Sequence, residues 1–123
     1  RSMRSEQQLL ALRPSIDKAD QESNPIEQFQ NEVLRPILKF QHELWLQEWQ
    51  QNQLFTKVKL SSKEAERRQF LTQIFSKNPA LVQRYIGMIA GFFLLEEYAF
   101  YTENRNVIDK RIKELLLTRL LSY

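Results

Sequence analysis

A single histidine serves the whole chain, His42, and it stands beside Glu43. A zinc centre needs several imidazole, thiolate or carboxylate ligands converging on one point. A carboxylate-bridged di-iron bundle repeats a Glu-x-x-His step on two helices. Here the residue three before His42 is Lys39, and no second histidine exists. The chain has no cysteine, which excludes thiolate ligands, thiol nucleophiles and disulfides. A serine or threonine nucleophile needs a base beside it, and one histidine without a nucleophile elbow is weak support for that class. Only two glycines occur, Gly87 and Gly91, so no glycine-rich phosphate loop can form. These residue types predict no catalytic centre, no metal and no cofactor.

The most concentrated polar group is Gln30, Asn31, Glu32, Arg35 and Lys39. Asn31, Arg35 and Lys39 stand four apart, so on a helix they line one ridge. Two cations one turn apart repel unless carboxylates intervene, and Glu32 and Glu43 are placed to do so. The ridge reads either as a salt-bridged surface or as a recognition surface for an anionic group or a partner loop.

The second feature is the apolar stretch 85–101, which holds both glycines. It predicts one central helix over about 79–102, apolar all round and so buried all round. A glycine inside a helix costs about 1 kcal/mol against alanine. Two of them one turn apart predict close packing of another helix against Gly87 and Gly91. On that reading Gly91→Leu overpacks, at a cost of about 1–3 kcal/mol. A homodimer contact or a ligand cleft at the same face are the alternatives. Glu97 ends the run near the buried side and needs a basic partner, with Arg35, Lys39 or Arg111 as candidates.

The elements that must hold these groups are helical. Few glycines and prolines argue against the many turns of an all-β chain. A short helix is expected over 5–12, ended by Arg13-Pro14, then an exposed loop over 13–23. Asn24-Pro25-Ile26-Glu27 is a start signal with a capping box. The helix that follows runs over about 25–57. Ile26, Phe29, Val33, Ile37, Phe40 and Leu44 form its core face, with Leu34, Leu38 and Trp45 widening it. Pro36 lies within this phase, so one helix kinked there is favoured over two separate ones. Ser61 and Glu64 cap a helix over 62–77, Asn78-Pro79 starts the next, and the last spans about 105–121. The expected fold is all-α: a small antiparallel bundle of four main helices plus a short N-terminal one, in a single domain over 1–123. Arg1-Ser2 ahead of Met3 reads as an appended remnant.

The chain is 123 residues with a net charge of +3. Basic residues on the last helix scatter in angle and alternate with Asp109 and Glu114, so nucleic acid is not an expected partner. The uncharged run 85–95 is too short for a membrane span. A cytoplasmic protein is the expectation.

Phe29-Gln30-Asn31-Glu32, Leu34-Arg35-Pro36-Ile37-Leu38-Lys39, and Gly87-Met88 with Gly91, Glu97 and Tyr98 resemble an uncharacterised family of short helical bacterial proteins, over about residues 5–119. Some members carry a glyoxalase label. Metal-dependent glyoxalases are built on paired βαβββ units with His and Glu ligands, and one histidine with no strand pattern does not match that. The resemblance implies that the Asn31–Lys39 ridge and the Gly87–Tyr98 segment meet in space.

Two functions follow. The first is a non-catalytic protein-interaction or regulatory module, self-associating or bound to another protein. The second is a small-ligand binder or minor enzyme, with a groove near Arg35, Gly87, Gly91, Glu97 and Tyr98. The candidate binding residues are Asn31, Glu32, Arg35, Lys39, Glu97, Tyr98 and Arg111.

Overall fold

The structure is a computed structural model that describes residues 3–14, 24–52, 58 and 63–122. All regular structure among them is helical. The short helix α1 spans Glu6–Ala11, and Ser5 Oγ accepts from the Gln8 amide at 3.3 Å. Of the loop expected over 13–23, residues 15–23 lie outside the described residues. Asn24 Oδ1 accepts from the Ile26 amide at 2.9 Å, and Pro25 fills the first position of α2, Pro25–Phe29.

A π turn, Gln30–Leu34, joins α2 to α3, Arg35–Phe40. Pro36 has no N–H to give to the carbonyl four residues back. The wide turn meets that lack, since the Arg35 amide reaches the Gln30 carbonyl instead. Leu34 and Arg35 keep helical dihedrals, so the chain passes Pro36 without leaving the helix. The wide turn holds about one extra residue, and the buried face moves on by one position after it. Ile37, Leu38, Gln41, Trp45 and Trp49 are buried, whereas Phe40 and Leu44 are 42% and 53% exposed. The core face expected from an ideal helix therefore fails at Phe40 and Leu44. Gln41 marks a small irregularity (φ −89°, ψ 4°), and α4 follows over His42–Gln50. Residues 53–57 and the Ser61–Ser62 start lie outside the described residues.

Helix α5 spans Glu64–Lys77. Asn78 does not cap the helix after it. Its Nδ2 donates to the Ile74 carbonyl at 2.8 Å, so it closes α5. Asn104 does the same two helices later, at the end of Leu95–Glu103, donating to the Phe100 carbonyl at 3.0 Å.

The expected central helix over 79–102 is two helices, α6 (Pro79–Ala90) and α7 (Leu95–Glu103). Between them Gly91 to Leu94 turn, and Leu94 is extended (φ −67°, ψ 161°). The last helix, α8, spans Arg105–Leu121 as expected, and buries Ile108, Ile112, Leu116, Leu117 and Leu120.

Four antiparallel helices do not describe the contacts. Phe40 meets Phe92, Gln41 meets Met88, Trp45 meets Tyr85 and Glu48 meets Arg84, so α4 and α6 run in opposite senses. Gln30 meets Arg111 and His42 meets Arg119, so the Pro25–Gln50 rod and α8 run in the same sense. The core gathers Trp45, Trp49, Tyr85, Phe93, Leu38 and Ile112 at its centre.

Candidate functional site

The break between α6 and α7 is held by a cluster of polar side chains. Three side chains satisfy the backbone groups that the break exposes. Arg4 donates to the Gly91 carbonyl at 2.8 Å, and Arg13 Nη2 donates to the Phe92 carbonyl at 3.2 Å. Glu97 Oε1 accepts from the Leu94 amide at 2.8 Å, which caps α7 from its own first turn. Arg13 also forks onto Glu97, with Nη2 to Oε1 at 2.6 Å and Nη1 to Oε2 at 3.0 Å. The two side chains are 10% and 14% exposed. Glu97 does need a cation, as the sequence implies, but the partner is Arg13 rather than Arg35, Lys39 or Arg111. Arg13 is thus a clasp on the core and not an exposed loop residue. A two-pronged guanidinium bond fixes orientation as well as distance.

The glycines are not closely packed. Both are exposed, Gly87 on α6 and Gly91 at its C-terminal cap. Among the described residues, a Cβ at Gly87 would meet nothing within 4 Å, and one at Gly91 would meet only the Gly87 carbonyl, at 3.2 Å. Val82, Tyr85, Ile86 and Ile89 take the buried face of α6. At 100° per residue, Ala80, Arg84, Gly87 and Gly91 fall opposite them. Near the Gly91 end of this face lies Phe40, whose ring meets Phe92 edge-on at 5.4 Å, and Leu44, one turn further along the rod, is exposed as well. At its other end Arg84 pairs with Glu48 at 2.6 Å.

The remaining expected site residues are spread out. Asn31 Oδ1 accepts from Arg35 Nε at 3.0 Å, so two members of the ridge bind each other. Glu32 is exposed. Arg111 donates to Gln30 Oε1 at 3.0 Å. Tyr98 is 45% exposed, with its ring 5.7 Å from that of Tyr101. The rod and the 87–101 segment do pack together, but through Phe29 against Phe93 and Phe100 rather than through the ridge. Lys39 lines a groove with Phe40, His42 and Arg119, and Arg111 lines another with Lys110 and Glu114. Neither groove has Arg35, Glu97 or Tyr98 in its wall.

Sequence reasoning passed over Arg13 and Arg119. The Arg119 guanidinium is partly buried between α8 and the rod, 3.4 Å from His42 Nδ1. Burial lowers its pKa, and the nearby Arg35 charge lowers it further. Tyr101 donates to Asp109 Oδ1 at 2.6 Å under the Arg105 guanidinium, which joins α7 to α8. Burial, then that hydrogen bond, push the Tyr101 hydroxyl well above the usual phenol range.

Among the described residues no three of His, Cys, Asp and Glu gather where they could hold a metal ion. No described helix is long and apolar enough to cross a membrane. No family model, curated protein or solved structure matches the chain.

Proposed function

We propose that this chain is a non-catalytic protein-interaction module that pairs with a second copy of itself through the Gly87–Gly91 face of α6. What supports the reading is the placement of the chain's only two glycines. Gly87 sits on the outer side of α6, where a Cβ would meet nothing within 4 Å among the described residues, and it costs the helix about 1 kcal/mol against alanine. Gly91 follows at the C-terminal cap of the same side, with its carbonyl bound by Arg4. A second helix lying across them would use the close backbone approach that two small residues one turn apart allow. A twofold axis brings the same pair from both sides, so one patch serves as both surfaces. The exposed Phe40, packed on Phe92 just past Gly91, supplies apolar rim. Arg84 and Glu48 carry opposite charges at one end, which suits a self-complementary contact.

The small-ligand alternative loses its support, because Glu97 is bound to Arg13 and Arg35 to Asn31. The absence of cysteine makes pairing testable by cross-linking. Gly87→Cys introduces a single thiol on the proposed axis. Mild oxidation should convert most of it to a disulfide-linked dimer. Val107→Cys, exposed on α8, should cross-link far more slowly. Equal rates for the two variants would contradict pairing through α6.

A further inference from the structure

We infer that the groove between the end of α1, the α3–α4 junction and the end of α8 binds a small molecule with one anionic head, carboxylate or phosphate, on an apolar body. The groove has a volume of about 500 Å³, in the range of small-molecule sites. Its polar lining is Lys39, His42, Glu43 and Arg119, and its apolar lining is Leu12, Pro14 and Phe40. Leu12 and Phe40 are 45% and 42% exposed, although each could have been a core residue by type. The groove shares Phe40 with the rim of the glycine face, but its charged residues are not part of that face, and the inference does not rest on copies pairing.

Arg119 carries the argument. Its guanidinium is partly withdrawn from water, and among the described residues no carboxylate pairs with it. Its polar neighbour is His42 Nδ1 at 3.4 Å, and Arg35 adds a like charge nearby. A partly buried cation with no carboxylate at ion-pair distance is costly, and burial, then the Arg35 charge, disfavour its charged form. An anion in the groove relieves both effects. Where Nδ1 accepts from Arg119, the imidazole proton sits on Nε2, which leaves His42 a donor as well. Lys39 adds a second basic residue to the lining.

Glu43 lies in the same wall and limits the charge that fits. It repels a second anionic group, so a polyphosphate or a nucleic-acid backbone is disfavoured. Leu12 and Phe40 favour a ring or short chain behind the head.

Because His42 is the only histidine, its ring signals in proton NMR report this groove alone. The probes are phenyl phosphate, benzoate, inorganic phosphate and benzyl alcohol, each titrated at fixed pH. Phenyl phosphate or benzoate should shift the His42 signals saturably, and the tighter of the two names the head group. Inorganic phosphate should bind more weakly, and benzyl alcohol should bind weakest. Arg119→Gln should weaken the aromatic anions at least tenfold, with the fold checked by circular dichroism. Should Arg119→Gln fail to fold, Lys39→Gln takes its place and should weaken binding several-fold. Leu12→Ala should weaken phenyl phosphate and leave inorganic phosphate unchanged. The inference is overturned if no anion gives a saturable shift, if benzyl alcohol binds as well as phenyl phosphate, or if the charge-removing variant that folds binds as tightly as the parent.

Discussion

Arg13 and Arg35 show how little residue type alone decides. Both are arginines beside a proline, yet Arg13 is clasped in the interior by Glu97 while Arg35 lies on the surface against Asn31. Arg13→Ala strips the partner from a carboxylate that is 14% exposed. A loss of about 3 kcal/mol in urea unfolding is expected, as for other buried pairs broken from one side. Arg35→Ala should stay within about 0.5 kcal/mol of the parent. Similar losses for both would show that the clasp has no special weight. The tyrosines divide in the same way. The Tyr85 hydroxyl is buried with no hydrogen-bond partner among the described residues, whereas Tyr101 donates to Asp109. Tyr85→Phe should be neutral or stabilising, and Tyr101→Phe should cost about 1.5–3 kcal/mol, the range for a hydrogen bond to a charged group. Both hydroxyls are held protonated beyond the ordinary phenol range, each first by burial, then by Glu48 at Tyr85 and by the Asp109 hydrogen bond at Tyr101. Above about pH 10 the unfolded chain releases protons that the native state keeps. Stability is therefore full below that pH and falls as pH rises past it. In alkaline denaturant titrations the double phenylalanine variant should show a shallower fall.

At the scale of elements, helix boundaries were legible where short-range signals set them. The span of α8 follows from its apolar period, and Asn24-Pro25 does start α2. Two departures had causes outside any local window. The break at Gly91–Leu94 is held by Arg4 and Arg13, about eighty positions upstream, and by Glu97 capping a leucine, which is not a residue that marks a helix start. The π turn before Pro36 displaces the buried face by one residue. That displacement puts Gln41 inside, donating to the Met88 carbonyl at 2.9 Å, and leaves Phe40 and Leu44 outside. A pattern read at a constant 100° per residue cannot show such a slip. Of the candidate site residues, Glu97 was legible as a charge needing a partner, because it ends an apolar run. Its partner was not, since Arg13 looks like any loop arginine beside a proline. The glycines were legible as unusual but misread as buried. Their exposure leads to an opposite prediction for the monomer. Gly87→Ala should raise the stability of the isolated chain by about 0.5–1 kcal/mol, measured in dilute solution by thermal melting. Gly91→Ala should gain less, because its Cβ meets the Gly87 carbonyl at 3.2 Å.

At the scale of the whole molecule, the two surfaces argued here divide the chain's polar and apolar resources. The glycine face of α6 offers shape and little charge. The groove at Arg119 offers charge set against two apolar walls. The clasp between Arg13 and Glu97 fixes the end of α1 beside the break, which keeps Leu12 in the lining of the groove. The central claim is that α6 is a contact between copies. Light scattering across a concentration series tests it most directly, comparing the parent with Gly87→Leu. The parent chain should rise from 14.8 kDa toward twice that mass as concentration increases. Gly87→Leu should stay monomeric with an undiminished melting temperature, since its side chain would enter open space in the monomer. A parent that scatters as a monomer throughout, or a leucine variant that still doubles in mass, would contradict the account.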